Sequence, residues 1–322
     1  MSVYTCVETA QLAEHINRFD LGTLQGFAGI EGGVENTNYR VTTERQNLVL
    51  TLFEHHNHYQ VAEFVRLARF LSDQGFRVPA PVSDRHGEWL HDLSGKPAIL
   101  CPFIEGHHPD IITPRHCWQI GSTLAELHLA SRKLPGAHAN PRGFEWWKQM
   151  YGSLTEDLDR TDYALLSSEM NWQLKHRLQW RLLPQGWIHG DLFRDNALFT
   201  GPAGSQQLSA ILDWYNACKG VWIYDLAVVA NDWCCDEYGE WDDALYDALL
   251  AGYQRVRRLN GYEQQQWPLI LRGAALRFWL SRLATRRYQQ ASGSDLVLSK
   301  NPDEYRNKLI HRRGYESLRI MA

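Results

Sequence analysis

Residues 189–196 read HGDLFRDN, set between the short apolar runs Gly186-Trp187-Ile188 and Ala197-Leu198-Phe199. Two carboxylates, a carboxamide, a histidine and an arginine in one turn between two predicted strands make poor core material. Burying such groups unpaired is strongly unfavourable, so solvent, a partner network or a ligand has to take them up.

Counting on from Asp191, Asn196 completes the spacing D-x4-N, and "LSAILDW" (208–214) then puts Asp213 at the end of another predicted strand. Phosphoryl transfer from a nucleotide needs little more: a carboxylate to take the acceptor hydroxyl's proton, and oxygen ligands to hold Mg²⁺ on the phosphates. Mg²⁺ prefers carboxylate and carboxamide oxygens and keeps several waters. Asp191, Asn196 and Asp213 supply that set. The order H-x-D-x4-N, then a strand ending in Asp, corresponds to the catalytic loop and metal-binding aspartate of protein kinases. "HGD" stands where those have H-R-D, and "LDW" where they have D-F-G; both changes point to small-molecule kinases of the aminoglycoside phosphotransferase-like group. Turn formation and capping would explain one aspartate, not the ordered set. Asp191 is therefore the candidate base, Asn196 and Asp213 the metal ligands, and His189 a loop-holding hydrogen-bonder. Asp195 either faces the acceptor or caps the turn. Asp225 opens a predicted helix, where a carboxylate is stabilised in any case.

The nucleotide side is predicted upstream. "GIEGGVENTNYRV" (29–41) runs into a strand, and its glycines let backbone approach phosphates, which marks Gly32, Gly33, Glu35, Asn36 and Asn38 as ATP-binding candidates. Kinases carry a lysine in the next strand; here "LVLTLFE" has Thr51. Glu63 thus loses its usual partner, and either Arg40 or Mg²⁺ with backbone amides neutralises the phosphates.

Alternation at period two predicts strands over 37–43 and 47–53, then "GEWLHDL" and "PAILCPFI", with one helix between Val61 and Gly75. Cys101–Gly106 is the expected hinge, with Cys101 beside the nucleotide. Helices are expected over 114–131, 143–158, 162–183, 224–235, 241–259, 262–289 and 302–318. The expectation is an α+β, bilobal protein kinase-like fold: a small antiparallel-sheet nucleotide lobe (1–100), a hinge (101–106) and a larger, mainly helical catalytic and substrate-binding lobe (107–322).

"ENTNYRV", "LVLTLFE", "HGDLFRDNALF", "LDWYNAC", "YDLA", "NDWC" and "LRFWLSRL" span most of the chain, and together they resemble the homoserine kinases that have the aminoglycoside phosphotransferase fold. Thr51 matches that subgroup as well. The resemblance implies ATP-dependent phosphorylation of the side-chain hydroxyl of L-homoserine, on the way to threonine. Homoserine is a small zwitterion, so its pocket needs a cation and an anion. Arg277 is assigned to the substrate carboxylate, Asp232 or Asp195 to the ammonium, and Tyr215, Trp233 and Trp279 to the walls; a structural ion pair is the competing reading of Arg277. A kinase of another amino alcohol or an aminoglycoside, and a nucleotide-binding pseudokinase, are the alternative functions.

Composition limits the rest. A net charge of −4 over 322 residues leaves no basic excess for nucleic acid. No run approaches the roughly 18 apolar residues of a membrane span, and the N-terminus has no apolar signal core. Six scattered cysteines without a CxxC pair suit reduced thiols. The expectation is a cytoplasmic monomer or homodimer with only small-molecule partners. The histidines of "EHHNHY" (54–59) and of 106–108 lack metal-ligand spacing and read as solvated loops.

Overall fold

The computed structural model describes residues 4–30, 36–292 and 300–314, and the chain divides into two compact units. One holds the described residues up to Gly106 together with Ser209–Tyr215; the other runs from His107 to Leu208 and from Asn216 onward.

In the first unit, α1 (Thr9–Ile16) precedes β1 (Leu24–Gly29), β2 (Thr37–Thr43), β3 (Asn47–Leu52), α2 (His58–Asp73), β4 (His91–Leu93) and β5 (Lys96–Pro102). The strands form one antiparallel sheet in the order β1-β2-β3-β5-β4. Register pairs Val41 with Leu48 and Tyr39 with Leu50. These residues share a buried cluster with Leu12 and Ile16 of α1, Phe19 and Leu100. A second cluster joins Phe53, Ile99 and Cys101 to Val61, Phe64 and Val65 of α2, whose start is fixed by an Asn57–Gln60 capping box. Full burial of each such side chain is worth about 1.5–3 kcal/mol, so the sheet is stabilised from both clusters.

The second unit is α3 (Pro114–Ser131), α4 (Phe144–Leu154), α5 (Arg160–Lys175), α6 (Arg177–Arg181), β6 (Gln185–Ile188), β7 (Ala197–Thr200), the first residues of β8 (Gln207–Ile211), β9 (Cys218–Val221), α7 (Trp222–Trp233), α8 (Asp243–Val256), α9 (Gly261–Ser292) and α10 (Pro302–Gly314). Every residue of α7 is buried. β6 pairs antiparallel with β9, Ile188 facing Cys218, and so delivers the chain directly into His189. α3 and α8 meet at two glycines: a Cβ on Gly121 would stand 2.3 Å from the Leu249 carbonyl oxygen, and one on Gly252 2.2 Å from that of Trp118.

Three elements differ from the sequence expectation. α1 is a second helix in the first hundred residues; it is eight residues long with no side-chain cap and only Leu12, His15 and Ile16 buried, too short for a periodic signal. β1 is largely solvent-facing and does not alternate. The helix expected over 162–183 breaks at His176, whose ψ of 10° leaves the helical range.

Candidate active site

The turn 189–196 is held by both ends of α7. At the N-terminal end, the Asp225 carboxylate is wholly buried and accepts from the backbone N–H groups of His189 (2.7 Å) and Gly190 (2.8 Å) and from His128 Nε2 (3.1 Å). Burial pushes this carboxyl up, but the His128 hydrogen bond, the nearby His189 and the Gly190 N–H outweigh it, leaving the group below the ordinary carboxylate range. His128 is in turn pushed down by burial, against the pull of Asp225, and sits neutral with Nδ1 2.9 Å from the Tyr253 hydroxyl. Tyr253 accepts from Arg257, which pairs with Glu263 at 2.6 Å.

At the C-terminal end of α7, Asp232 accepts from the Arg194 backbone N–H (2.8 Å) and from Arg194 Nε (3.3 Å), while a further guanidinium nitrogen donates to the Asp232 carbonyl. Trp233 donates its indole N–H to the Leu192 carbonyl at 3.2 Å. Gly190 takes φ +78°, and a Cβ there would stand 3.1 Å from the Asn216 carbonyl oxygen, so only glycine suits the position.

Held this way, the turn presents Asp191 half-buried. Its backbone N–H donates to His189 Nδ1 (3.3 Å), Asn196 Nδ2 donates to its carbonyl (2.8 Å), and its carboxylate faces Asn216 Nδ2 (3.4 Å) and Arg277 (3.8 Å). Arg277, from the middle of α9, is buried; at 3.8 Å it makes a charge contact with Asp191 rather than a hydrogen bond. Gly190, Asn216 and Arg277 line a narrow cleft together with Asn140, Arg142 and Tyr224.

The structure thus brings Asp191, His189, Asn196 and Arg277 into one neighbourhood. Other sequence candidates stand differently. Asp232 is committed to Arg194 and Asp195 to Lys300 (2.5 Å), so neither carboxylate is positioned as an ammonium-binding wall of the Asp191 cleft. Trp233 and Trp279 are fully buried, packing residues rather than walls. Asn216 and Arg142 went unread. Asn216 carries a signal as the polar residue three positions after Asp213 in LDWYNAC; Arg142 carries none, because its 138–143 turn reaches the site only through folding.

In the first unit, Asp213 follows β8 with φ +56°, a left-handed conformation costly for a non-glycine residue. Tyr215, expected as a substrate wall, is instead inserted against Phe53 (ring centroids 4.8 Å apart) and Phe64 (6.0 Å), where burial pushes its hydroxyl pKa far up. Its hydroxyl reaches Thr51 (3.4 Å), which donates to Asn38 Oδ1 (2.7 Å). Where a lysine was expected, there is a neutral hydrogen-bond chain. Cys101 is buried in the same cluster, its thiol pushed up to about 12 by burial. Asn36 is buried, with an Oδ1 that has no donor among the described residues. Arg40 stacks over Phe103, and Glu63 pairs with Arg66. Gly32, Gly33 and Glu35 lie outside the described residues. Among the described residues no three His, Cys, Asp or Glu side chains gather as a metal site, and no helix is long and apolar enough to cross a membrane.

Residues 26–259 match the model of the phosphotransferase enzyme family. The chain belongs to that family. Among its relatives, a homoserine kinase of Methylobacillus flagellatus is 37% identical over 311 residues, 97% of this chain and 95% of the relative. One of Neisseria meningitidis is 37% identical over 96% of this chain and 99% of its own length. An amicoumacin kinase shares the fold with a TM-score of 0.70 at 13% identity, covering 95% of this chain and 92% of that one. A microcompartment-associated aminopropanol kinase does so at 0.66 and 17%, with 95% of each chain covered. The fold is kinase-like, a five-stranded antiparallel sheet followed by a mainly helical remainder, and the protein is a phosphotransferase of the nucleotide-dependent, small-molecule kind.

Proposed function

We propose that this protein transfers the γ-phosphoryl group of ATP to the side-chain hydroxyl of L-homoserine, in line and without a phosphoenzyme. The observation that carries this reading is the pair of guanidinium groups next to the turn: Arg277, 3.8 Å from the Asp191 carboxylate, and Arg142, which lines the same narrow void as Arg277 and Gly190. Such a lining suits an acceptor with a carboxylate and repels polycationic aminoglycosides. Relatives of the same length named homoserine kinase support the same acceptor.

Asp191 orients the hydroxyl and accepts its proton as the new P–O bond forms. Asn216 and Arg277 hold the carboxylate in place until then. Arg142 and Arg277 take the substrate carboxylate. Asn196 spends its amide nitrogen on the Asp191 carbonyl, which directs its oxygen to another partner; that carboxamide oxygen and the Asp213 carboxylate are, each by its own chemistry, hard donors of the kind Mg²⁺ takes. Mg²⁺ would neutralise the developing phosphate charge. Asn36 and Asn38, with the glycine segment between Gly29 and Val41, serve the nucleotide, and Cys101–Gly106 the hinge.

The test is ATP consumption by the purified protein with Mg²⁺, comparing L-homoserine, L-serine, choline and kanamycin, with Asp191→Asn as control. Turnover confined to homoserine supports the reading. Turnover only with choline or kanamycin overturns the acceptor, and ATP binding without turnover on the whole panel overturns the enzyme.

A further inference from the structure

The second unit contains a cavity of about 380 Å³, within the size range of small-ligand sites, that the transfer step does not use. Its walls are the turn 140–145, α4, α5, α6 and the β6–β9 ladder. Five cations line it: Arg142, Lys148, Arg177, Arg181 and Lys219. The one lining acid, Glu145, is already engaged by Lys148 at 2.8 Å. This concentration of positive charge stands in a chain whose net charge is −4.

Between the cations the surface is apolar and aromatic, with Phe144, Trp147, Trp180, Ile188 and Tyr224. Trp180, only 8% exposed, closes the floor with its ring edge-on to Phe144 and Trp147. The lining therefore offers donors and cations around an apolar floor, and no carboxylate available for an ammonium group.

We infer that this cavity is a second binding site, for a small organic anion: a carboxylate or phosphate monoester carrying an apolar body. A zwitterionic amino acid fits poorly, because its ammonium would meet the five cations.

The site communicates with the acceptor cleft. Asn140, Arg142 and Tyr224 line both. The shared turn is stiff: the Arg142 backbone N–H donates to Asn140 Oδ1 (2.8 Å), and the Trp147 indole donates to the Arg142 carbonyl (2.9 Å). An anion that draws the Arg142 side chain into the larger cavity withdraws it from the acceptor cleft, so its binding weakens acceptor binding, and the coupling is reciprocal. This coupling rests on the acceptor reading of the cleft; the binding itself does not.

The test is isothermal titration of the full-length protein with phenyl phosphate, benzoate and inorganic phosphate. Saturable binding of phenyl phosphate or benzoate is expected, the stronger of the two identifying the headgroup, with inorganic phosphate much weaker for want of an apolar body. Arg177→Glu combined with Arg181→Glu should weaken binding by about tenfold or more, since charge-assisted hydrogen bonds are lost and reversed. The melting temperature checks that the double variant is folded. In kinetics the anion should raise the KM for homoserine at constant kcat in the native protein and not in the charge-reversed variant, whose kinetics without anion stay native. No saturable heat from the folded protein, or equal affinity in the charge-reversed variant, overturns the site. As homoserine saturates, the apparent Kd of the anion should reach a plateau; an unlimited rise means one shared site and overturns its separateness. If homoserine is not the acceptor, the turnover panel fails while the titrations stand.

Discussion

Asp191 lies on the turn 189–196 and Asp225 clamps that turn from α7, and the two carboxylates are treated in opposite ways. Asp225 is wholly buried and receives three hydrogen bonds between 2.7 and 3.1 Å. Asp191 keeps 21% of its side chain exposed and faces Asn216 Nδ2 at 3.4 Å and Arg277 at 3.8 Å. A carboxylate that must stay ionised and still is surrounded by short donors. One that must meet an acceptor hydroxyl has to keep part of its surface open, as the exposed part of Asp191 does. α7 buries the first and, by holding the turn, positions the second.

The sharpest way to break this contrast is to neutralise each carboxylate. Asp191→Asn should lower kcat by about 10²–10⁴-fold, the usual worth of a general base, with ATP affinity by calorimetry and the melting temperature unchanged. A fall of less than about tenfold would remove Asp191 as the base. Asp225→Ala should do the reverse, lowering the unfolding free energy in a urea titration by about 1–3 kcal/mol for each buried donor left without an acceptor, namely the His189 and Gly190 N–H groups and the His128 imidazole. A stable Asp225→Ala protein would show that the turn is anchored elsewhere, and the most direct candidate for that is Arg194.

Arg194→Ala removes the side-chain half of the clamp on Asp232 and leaves the backbone hydrogen bond. A loss of about 1–3 kcal/mol in loop positioning should appear as a roughly tenfold lower kcat with little change in the KM for ATP. An unchanged kcat would assign the positioning to Asp225 and Trp233 alone.

The reactive tip could be read from the sequence, because Asp191, Asn196 and Asp213 act through a local spacing that a turn imposes on any chain folding this way. Its supports could not. His128, Tyr253 and Arg257 come from two helices far apart in the chain, and nothing local distinguishes them from ordinary polar residues. The same limit produced the errors over Tyr215, Trp233 and Asp232. Residue type suggested aromatic walls and an acidic contact, whereas packing made the first two buried anchors and gave the third an arginine. In the first unit the leucines of β3 announced a covered face, but the eight-residue α1 that covers it was too short to announce itself.

The smallest predicted effect sharpens the comparison by setting the anchor's imidazole against another buried one. His128 has a partner on each ring nitrogen, whereas the buried His15 has an Nε2 without one among the described residues and packs edge-on against His91, ring centroids 5.3 Å apart. Burial, with the charges of His91 and Arg18, lowers the pKa of His15 to about 4, against the opposing pull of Asp84. The unfolded chain takes up this proton near pH 6.5 and the folded one resists until about pH 4, so the stability tied to His15 is full above 6.5 and is lost as pH falls through that window. His15→Phe should therefore flatten the acid limb of a melting-temperature profile between those values and leave neutral pH nearly unchanged. His128→Phe should instead lower stability at every pH by about 1–3 kcal/mol, because Asp225 loses a donor and Tyr253 an acceptor. If both variants moved only the acid limb, the hydrogen bonds of His128 would contribute no more than its burial, and the anchor would owe its rigidity to the two backbone donors of the turn itself.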